Sequence, residues 1–202
     1  MKVALIGATG NVGSRILSEL TRRGHAVTAI VRHPEKLAAQ PNVEARRGDA
    51  SDAKALSALL AGHDAVVSSV RFAASDPRKL IEAVRASGVN RYIVVGGAGS
   101  LEVAPGVKLM ESEGFPAEYK PEAAAGGAFL DLLRQESELN WTFISPSALF
   151  APGERTGKFR IGGNQLLSNE QGSRISFEDF AIGLADELET GAHPRDRFTV
   201  GY

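Results

Sequence analysis

The chain contains no cysteine. That excludes a disulfide framework, a thiolate metal site and a cysteine nucleophile together. It also lacks an excess of either charge: 23 Lys and Arg stand against 24 Asp and Glu, for a formal net charge of -1. A nucleic-acid binder would show a basic excess or a basic stripe, so nucleic acid is not expected as a partner. No stretch approaches the roughly 20 apolar residues that cross a bilayer, and no membrane partner is expected. The apolar run Val3–Ile6 is cut short by Gly7, too soon for a secretory signal, and a cytoplasmic location is expected by default. The four histidines (His25, His33, His63 and His193) are dispersed without ligand spacing, so no metal site is expected. There is no Gly-x-Ser-x-Gly elbow, which removes a Ser-His-Asp hydrolase.

What is present is an ordinary globular mixture, 43% hydrophobic and 23% charged over 202 residues, enough to bury one sizeable core. Short apolar runs alternate with helical patterns. Lys2–Ile6, Ala26–Val31, Val43–Arg47, Asp64–Val70 and Arg91–Val95 read as strands, and Trp141–Ser145 and Arg197–Val200 follow later. Between them, Val12, Ile16, Leu17 and Leu20 share a helical face that stops at Gly24. Pro34–Ala38 opens a short helix, Asp52 caps a helix carrying Leu56 and Leu60, and Asp76–Ser87 ends at Gly88. Later helices are expected over Glu122–Glu138 and after Ser176, whose Ser-x-x-acid start precedes Phe180, Leu184 and Leu188. Strand–helix alternation predicts a doubly wound α/β fold with a parallel sheet. Irregular stretches at Gly96–Pro121 and Ser147–Asn169 follow strands at the end where open sheets bind ligands. The expectation is one domain, residues 1–202, with loops 96–121 and 147–175 forming a small substrate-side lobe.

The sharpest motif is Gly7-Ala8-Thr9-Gly10-Asn11-Val12-Gly13, placed directly after a strand and opening a helix. Gly7 permits the tight turn, Gly10 a close approach of backbone to pyrophosphate, and Gly13 close packing of helix on strand. The first helix aims unpaired amides and a positive dipole end at the phosphates. Gly7, Thr9, Gly10, Asn11, Val12 and Gly13 are therefore candidate dinucleotide ligands, and the fold is expected to be of Rossmann type. At the end of the second strand stand Val31-Arg32-His33, with no carboxylate before Glu35. An acidic residue there would bind ribose hydroxyls, whereas an arginine accommodates a 2′-phosphate. Arg32, with His33 beside it, favours NADP(H) over NAD(H).

The spacing Gly-x-x-Gly-x-x-Gly with Thr9 inside it resembles the atypical short-chain dehydrogenase/reductases, and in particular their NmrA-like, NAD(P)H-binding group, which includes proteins named NADH-flavin reductases. The stretches IVRHPEK, VVGGAGSLEV and WTFISPSALFAPGERTGKFRIGG extend the resemblance over nearly the whole chain. It implies that Asp49 lies near the adenine amino group, and that Ser68, Ser69 and Val70 run past the nicotinamide-side ribose. Gly96 and Gly97 complete the candidate cofactor set. It also implies a catalytic serine, for which Ser100 is the candidate, and a Tyr-x-x-x-Lys pair. Here Tyr119 is followed at once by Lys120, and the family's lysine position falls nearer Gly126. Adjacent residues on a helix do not share a face, so the pair is not intact.

That departure favours hydride transfer to a planar, electron-poor acceptor such as a flavin or quinone, for which solvent supplies the proton. Phe115, Phe150 and Phe159 offer flat surfaces for such a ring, and Arg155 or Lys158 a cation for an anionic substrate group. The alternative reading is a non-catalytic NADP(H) sensor. A nucleotide-sugar epimerase or dehydratase would need a larger C-terminal substrate region. A monomer or homodimer is expected.

Overall fold

The computed structural model describes residues 1–202. The first half alternates β1 (Lys2–Ile6), α1 (Asn11–Arg22), β2 (Ala26–Val31), β3 (Val43–Arg47), α2 (Ala53–Leu60), β4 (Ala65–Ser68), α3 (Pro77–Ser87) and β5 (Arg91–Val95). A hairpin of β6 (Glu102–Ala104) and β7 (Val107–Lys108) then precedes α4 (Lys120–Arg134) and β8 (Asn140–Pro146). The chain closes through β9 (Leu149–Ala151), β10 (Arg160–Gly162), β11 (Arg174–Ser176), α5 (Phe177–Thr190) and β12 (Asp196–Gly201).

Eight strands form the main sheet in the order β3-β2-β1-β4-β5-β8-β12-β10. Every neighbouring pair is parallel except β10 on β12. The doubly wound α/β sheet expected from the alternation of runs is the one that forms. Its central strands read as continuous apolar runs because helices cover both faces. Val3 and Leu5 pack with Ile16, Leu17 and Leu20 of α1 and Phe180, Leu184 and Leu188 of α5. Their neighbours Ala4 and Ile6 pack on the other face with Leu56 and Leu60 of α2, Leu80 and Val84 of α3, and Phe129 and Leu133 of α4. Connections leave β1 in both directions, so a crevice opens between the carboxyl ends of β1 and β4.

Local signals set most boundaries. Asp52 accepts from the Ala55 amide at 3.0 Å, Asp76 from Arg78 at 2.9 Å and Ser176 from Asp179 at 3.0 Å. Gly88 closes α3 in the left-handed conformation, φ +77°. Elsewhere the structure departs from the pattern. The expected fourth strand is only Ala65–Ser68, and Pro34–Ala38 is a single 3-10 turn, Pro34–Lys36. α4 starts two residues early, because Pro121 in the first turn has no amide to leave unpaired. It also ends early, at Arg134, and the Glu136 carboxylate then takes the amides of Glu138 and Leu139 at 2.6 and 3.3 Å. The two irregular stretches hold more order than expected: the β6–β7 hairpin in one, and β9 and β10 in the other.

The segment after β9 is tied down by carboxylates from both helices of one face. Asp179 accepts from the amides of Thr156 and Gly157 at 2.7 and 2.8 Å, and Glu178 from that of Gly153 at 2.9 Å. Arg155 forks onto Glu19 of α1 at 3.0 and 3.1 Å, and Arg23 and Arg22 also bond that carboxylate. Burial would raise the Glu19 carboxyl, but the hydrogen bonds from Arg155, Arg23 and Arg22 outweigh it and hold the group at about 2. A depressed carboxylate contributes stability that is complete above its ordinary value of 4.5 and is lost as pH falls towards 2. Glu19→Gln is therefore expected to lower stability at neutral pH by roughly 1.5–3 kcal/mol and to flatten the acid limb over that window. Urea unfolding across pH measures both; parallel acid limbs would remove Glu19 as the titrating clamp.

Candidate functional site

The glycine turn joins three backbone segments too close together for any side chain between them. Gly7 adopts φ +84°, and a Cβ there would lie 2.1 Å from the Ser69 carbonyl oxygen beyond β4. A Cβ on Gly13 would lie 2.1 Å from the Gly7 carbonyl oxygen. Gly10 differs. Its φ is -71°, and its nearest prospective neighbour is the Gly7 oxygen at 3.3 Å. Packing within the chain asks less of Gly10, which is exposed on the open side of the turn together with Thr9 and Asn11.

α1 begins there without a capping side chain and without an acidic residue in its first turn. The amides of Asn11, Val12 and Gly13 have no acceptor within the chain; the first closed bond is Ser14 to Gly10 at 2.9 Å. Three donors beside the positive end of a helix dipole suit an anion. These residues fit a dinucleotide pyrophosphate.

The other candidate residues on the cofactor side acquire a geometry. Arg32 and His33 are exposed just beyond β2, and the His33 ring meets Glu35 at 3.1 Å. Arg47, at the end of β3, sits in register with Val31 and donates from Nε to the Arg32 carbonyl at 3.2 Å. Two guanidinium groups therefore stand at this edge, where the sequence pointed to one. Asp49 accepts from the Ser51 amide at 2.8 Å, and that bond, with lesser help from Arg32 and Lys79, lowers its carboxyl. Its observed work is in the turn. Ser69 and Val70 press against Gly7, whereas the Ser68 hydroxyl is buried and bonded to Tyr92 at 2.9 Å.

The substrate side is a cleft of about 760 Å³ at the carboxyl ends of β5 and β8. Gly96–Ser100, Phe115, Tyr119, Glu122 and residues 146–150 line it. Residues 152–158 do not, because their tethers hold them along α1 and α5, so the lobe contributes less to the cleft than loops 96–121 and 147–175 suggested. Arg155, spent on Glu19, is unsuited to receive a substrate anion, and Lys158 lies in a separate groove beside Arg174. Phe150 packs on Phe177 and Phe180 with ring centres 4.7 and 4.8 Å apart, and Phe159 packs on the core. Phe115 is the candidate ring without such an anchor.

Tyr119 is 61% exposed at the mouth of the cleft, and Lys120 is the exposed first residue of α4. Neither side chain makes a hydrogen bond within the chain, and the structure does not bring them together. Gly126 shows why no cation stands deeper on the helix. A Cβ there would lie 2.9 Å from the Phe72 ring, so that face is closed by packing. Gly96 has a similar reason, since a Cβ would meet the Phe143 ring at 2.4 Å, whereas Gly97 faces more open space, 3.5 Å from Phe72. Beside Arg47, two residues at the cleft escaped the sequence reading. Glu122 accepts from the amides of Phe72 and Ala73 at 2.7 and 3.0 Å, fixing the cleft wall. Arg197 of β12 is buried behind Ser100, with Nη1 3.4 Å from its hydroxyl oxygen.

No helix is long and apolar enough to cross a membrane. A family model described as NAD(P)H-binding matches residues 7–189. Three solved structures are similar along the full length of this chain. A Burkholderia pseudomallei protein named as a putative exported protein is 46% identical, with 100% of both chains covered and a TM-score of 0.91. A Bacteroides thetaiotaomicron protein named as a putative epimerase is 41% identical over 100% of this chain and 96% of its own, with a TM-score of 0.95. A Streptococcus pneumoniae protein named as a putative NADH-flavin reductase is 40% identical over 100% and 99%, with a TM-score of 0.86. With its glycine turn inside the matched span, the chain belongs to the NAD(P)H-binding family of Rossmann-type α/β proteins.

Proposed function

We propose that the protein is an NADPH-dependent reductase that passes hydride to a planar, electron-poor acceptor, a flavin or a quinone, held in the cleft above Ser100. The observation that carries this reading is the pairing of an uncapped α1 with a cleft in which no tyrosine and lysine are aligned. When bound, the reduced nicotinamide supplies the hydride. The chain's part is to place and screen the reactants. Asn11, Val12 and Gly13 hold the pyrophosphate with their amides, and Gly10 leaves room for it. Gly96 and Gly97 border the ring end of the cofactor. Phe115 covers the acceptor, and Ser100 hydrogen-bonds its carbonyl oxygen. An acceptor that takes its final proton from water needs no protein acid, which matches the exposed position of Tyr119.

Selection of NADPH rests on Arg32 and Arg47, whose planar forks suit a 2′-phosphate. Arg32→Ala is expected to weaken NADPH by roughly 1.5–3 kcal/mol, as for lost charged hydrogen bonds, with NADH little changed; Arg47→Ala shifts affinity in the same direction. Calorimetric titration measures both, and equal losses for the two cofactors would overturn the assignment.

The sensor reading draws on the same absence of an aligned acid. Turnover separates the two. Purified protein is expected to oxidise NADPH when a quinone or free flavin is added, and Tyr119→Phe to keep kcat within about twofold, consistent with a group outside the proton path. No oxidation with any such acceptor would leave the sensor.

A further inference from the structure

Charges this deeply buried are normally paired. Arg91 follows the rule, with Glu187 at 2.7 Å. Arg197 does not. The residue is 4% exposed, and no carboxylate forms an ion pair with its guanidinium. Its one short bond runs from Nε to the Asn164 amide oxygen at 2.8 Å. The other contacts are long: Nη1 lies 3.4 Å from the hydroxyl oxygens of Ser100 and Ser145, and Nη2 3.5 Å from the Ser100 carbonyl. Burial, with repulsion from Arg134, outweighs the pull of the Glu102 and Asp196 carboxylates and brings the group down to about 10, so it is charged at neutral pH. A buried cation with one good acceptor is costly, and of its hydrogen-bond partners Ser100 is the one that lines the cleft.

The surroundings give the cation a purpose. On α4 the residues facing Ser100 and Phe72 are small, Gly126 and Gly127, and supply no charge. Behind Ser100 the charge arrives from β12 instead. The Ser100 loop is held from the other side by backbone bonds, Met110 to Gly99 at 3.0 Å and Glu102 to Asn164 at 2.9 Å. Asn164 thus fixes both the guanidinium and the loop.

We infer that Arg197 is a positioning residue that turns Ser100 into the oxyanion donor of the cleft, the guanidinium donating to the serine oxygen so that the serine proton is given to the acceptor. This inference rests on the reductase reading. As the hydride and its electron pair reach the acceptor, negative charge grows on the acceptor oxygen. The Ser100 O–H stays intact and donates a hydrogen bond to that oxygen, the nearby cation strengthens the bond, and water supplies the proton that completes the reduced product. The cofactor leaves oxidised.

Two measurements test it on the whole protein. In NADPH-dependent quinone reduction, Arg197→Met is expected to lower kcat by about 10- to 100-fold with the KM for NADPH little changed. Arg197→Lys should recover part of the loss, and Arg197→Met added to Ser100→Ala should cost little more than Ser100→Ala alone. Fully additive losses, or losses in which KM for NADPH moves with kcat, would overturn the inference and leave Arg197 as a structural stitch. The second measurement needs no turnover. Bound para-nitrophenol, followed by the absorbance of its phenolate, should titrate about one pH unit lower in the wild type than in Ser100→Ala or Arg197→Met. Equal titration in all three proteins, or no binding of the phenolate to the wild type, would overturn it. An inactive wild type that still shows the phenolate shift would count against the reductase reading alone.

Discussion

The structure depends on the closeness of three backbone segments at Gly7. The turn after β1, the exit from β4 and the first turn of α1 meet where a Cβ on Gly7 or Gly13 would lie 2.1 Å from a carbonyl oxygen. This contact fixes the first helix directly above the carboxyl edge of the sheet, on the line where strand order turns outward in both directions. The cap position of that helix, Gly10, is exposed and carries no side chain. The amides at that mouth are therefore unpaired within the chain, and an anion is a partner that would satisfy them.

From that fixed point the site divides by chemistry. The β2 and β3 edge carries exposed guanidinium groups, while the β5 and β8 edge opens into an apolar-walled cleft whose glycines admit backbone and ring close together. On α4, Phe72 occupies the space that a side chain on residue 126 would need, so no cation stands at that position. Behind Ser100 at this end stands the buried guanidinium of Arg197. Towards the amino ends of β5 and β8, Glu187 gathers Arg91, Thr142 and His193, a network that ties α5 to the strands and contributes no residue to the cleft.

Much of this was legible in the sequence, and the reasons are local. Asp52, Asp76 and Ser176 cap helices a few residues away, and Gly88 stops α3, so each signal and its partner lie within one turn. The parallel sheet was legible because strands covered on both faces must be apolar throughout. What stayed hidden depends on distance along the chain. Arg155 looked available for a substrate, but its partner Glu19 is 136 positions away. Gly96 read as a cofactor residue, and its close packing against the Phe143 ring was not visible until the fold brought the two together. Arg47 and Arg197 were plain strand residues until the register set one beside Arg32 and the other behind Ser100. β10 was hidden in a glycine-rich stretch because an edge strand of three residues carries too little pattern to be seen.

The central claim is that the amides beyond Gly10 hold a dinucleotide pyrophosphate, and that Gly10 is glycine for the ligand's sake. Calorimetric titration of Gly10→Val with NADPH and NADH tests it most directly, with a thermal melt to verify folding. The account predicts a folded protein that has lost most of its affinity for both cofactors, since a branched side chain would stand where the phosphates approach. A folded variant that binds either cofactor as the wild type does would contradict it.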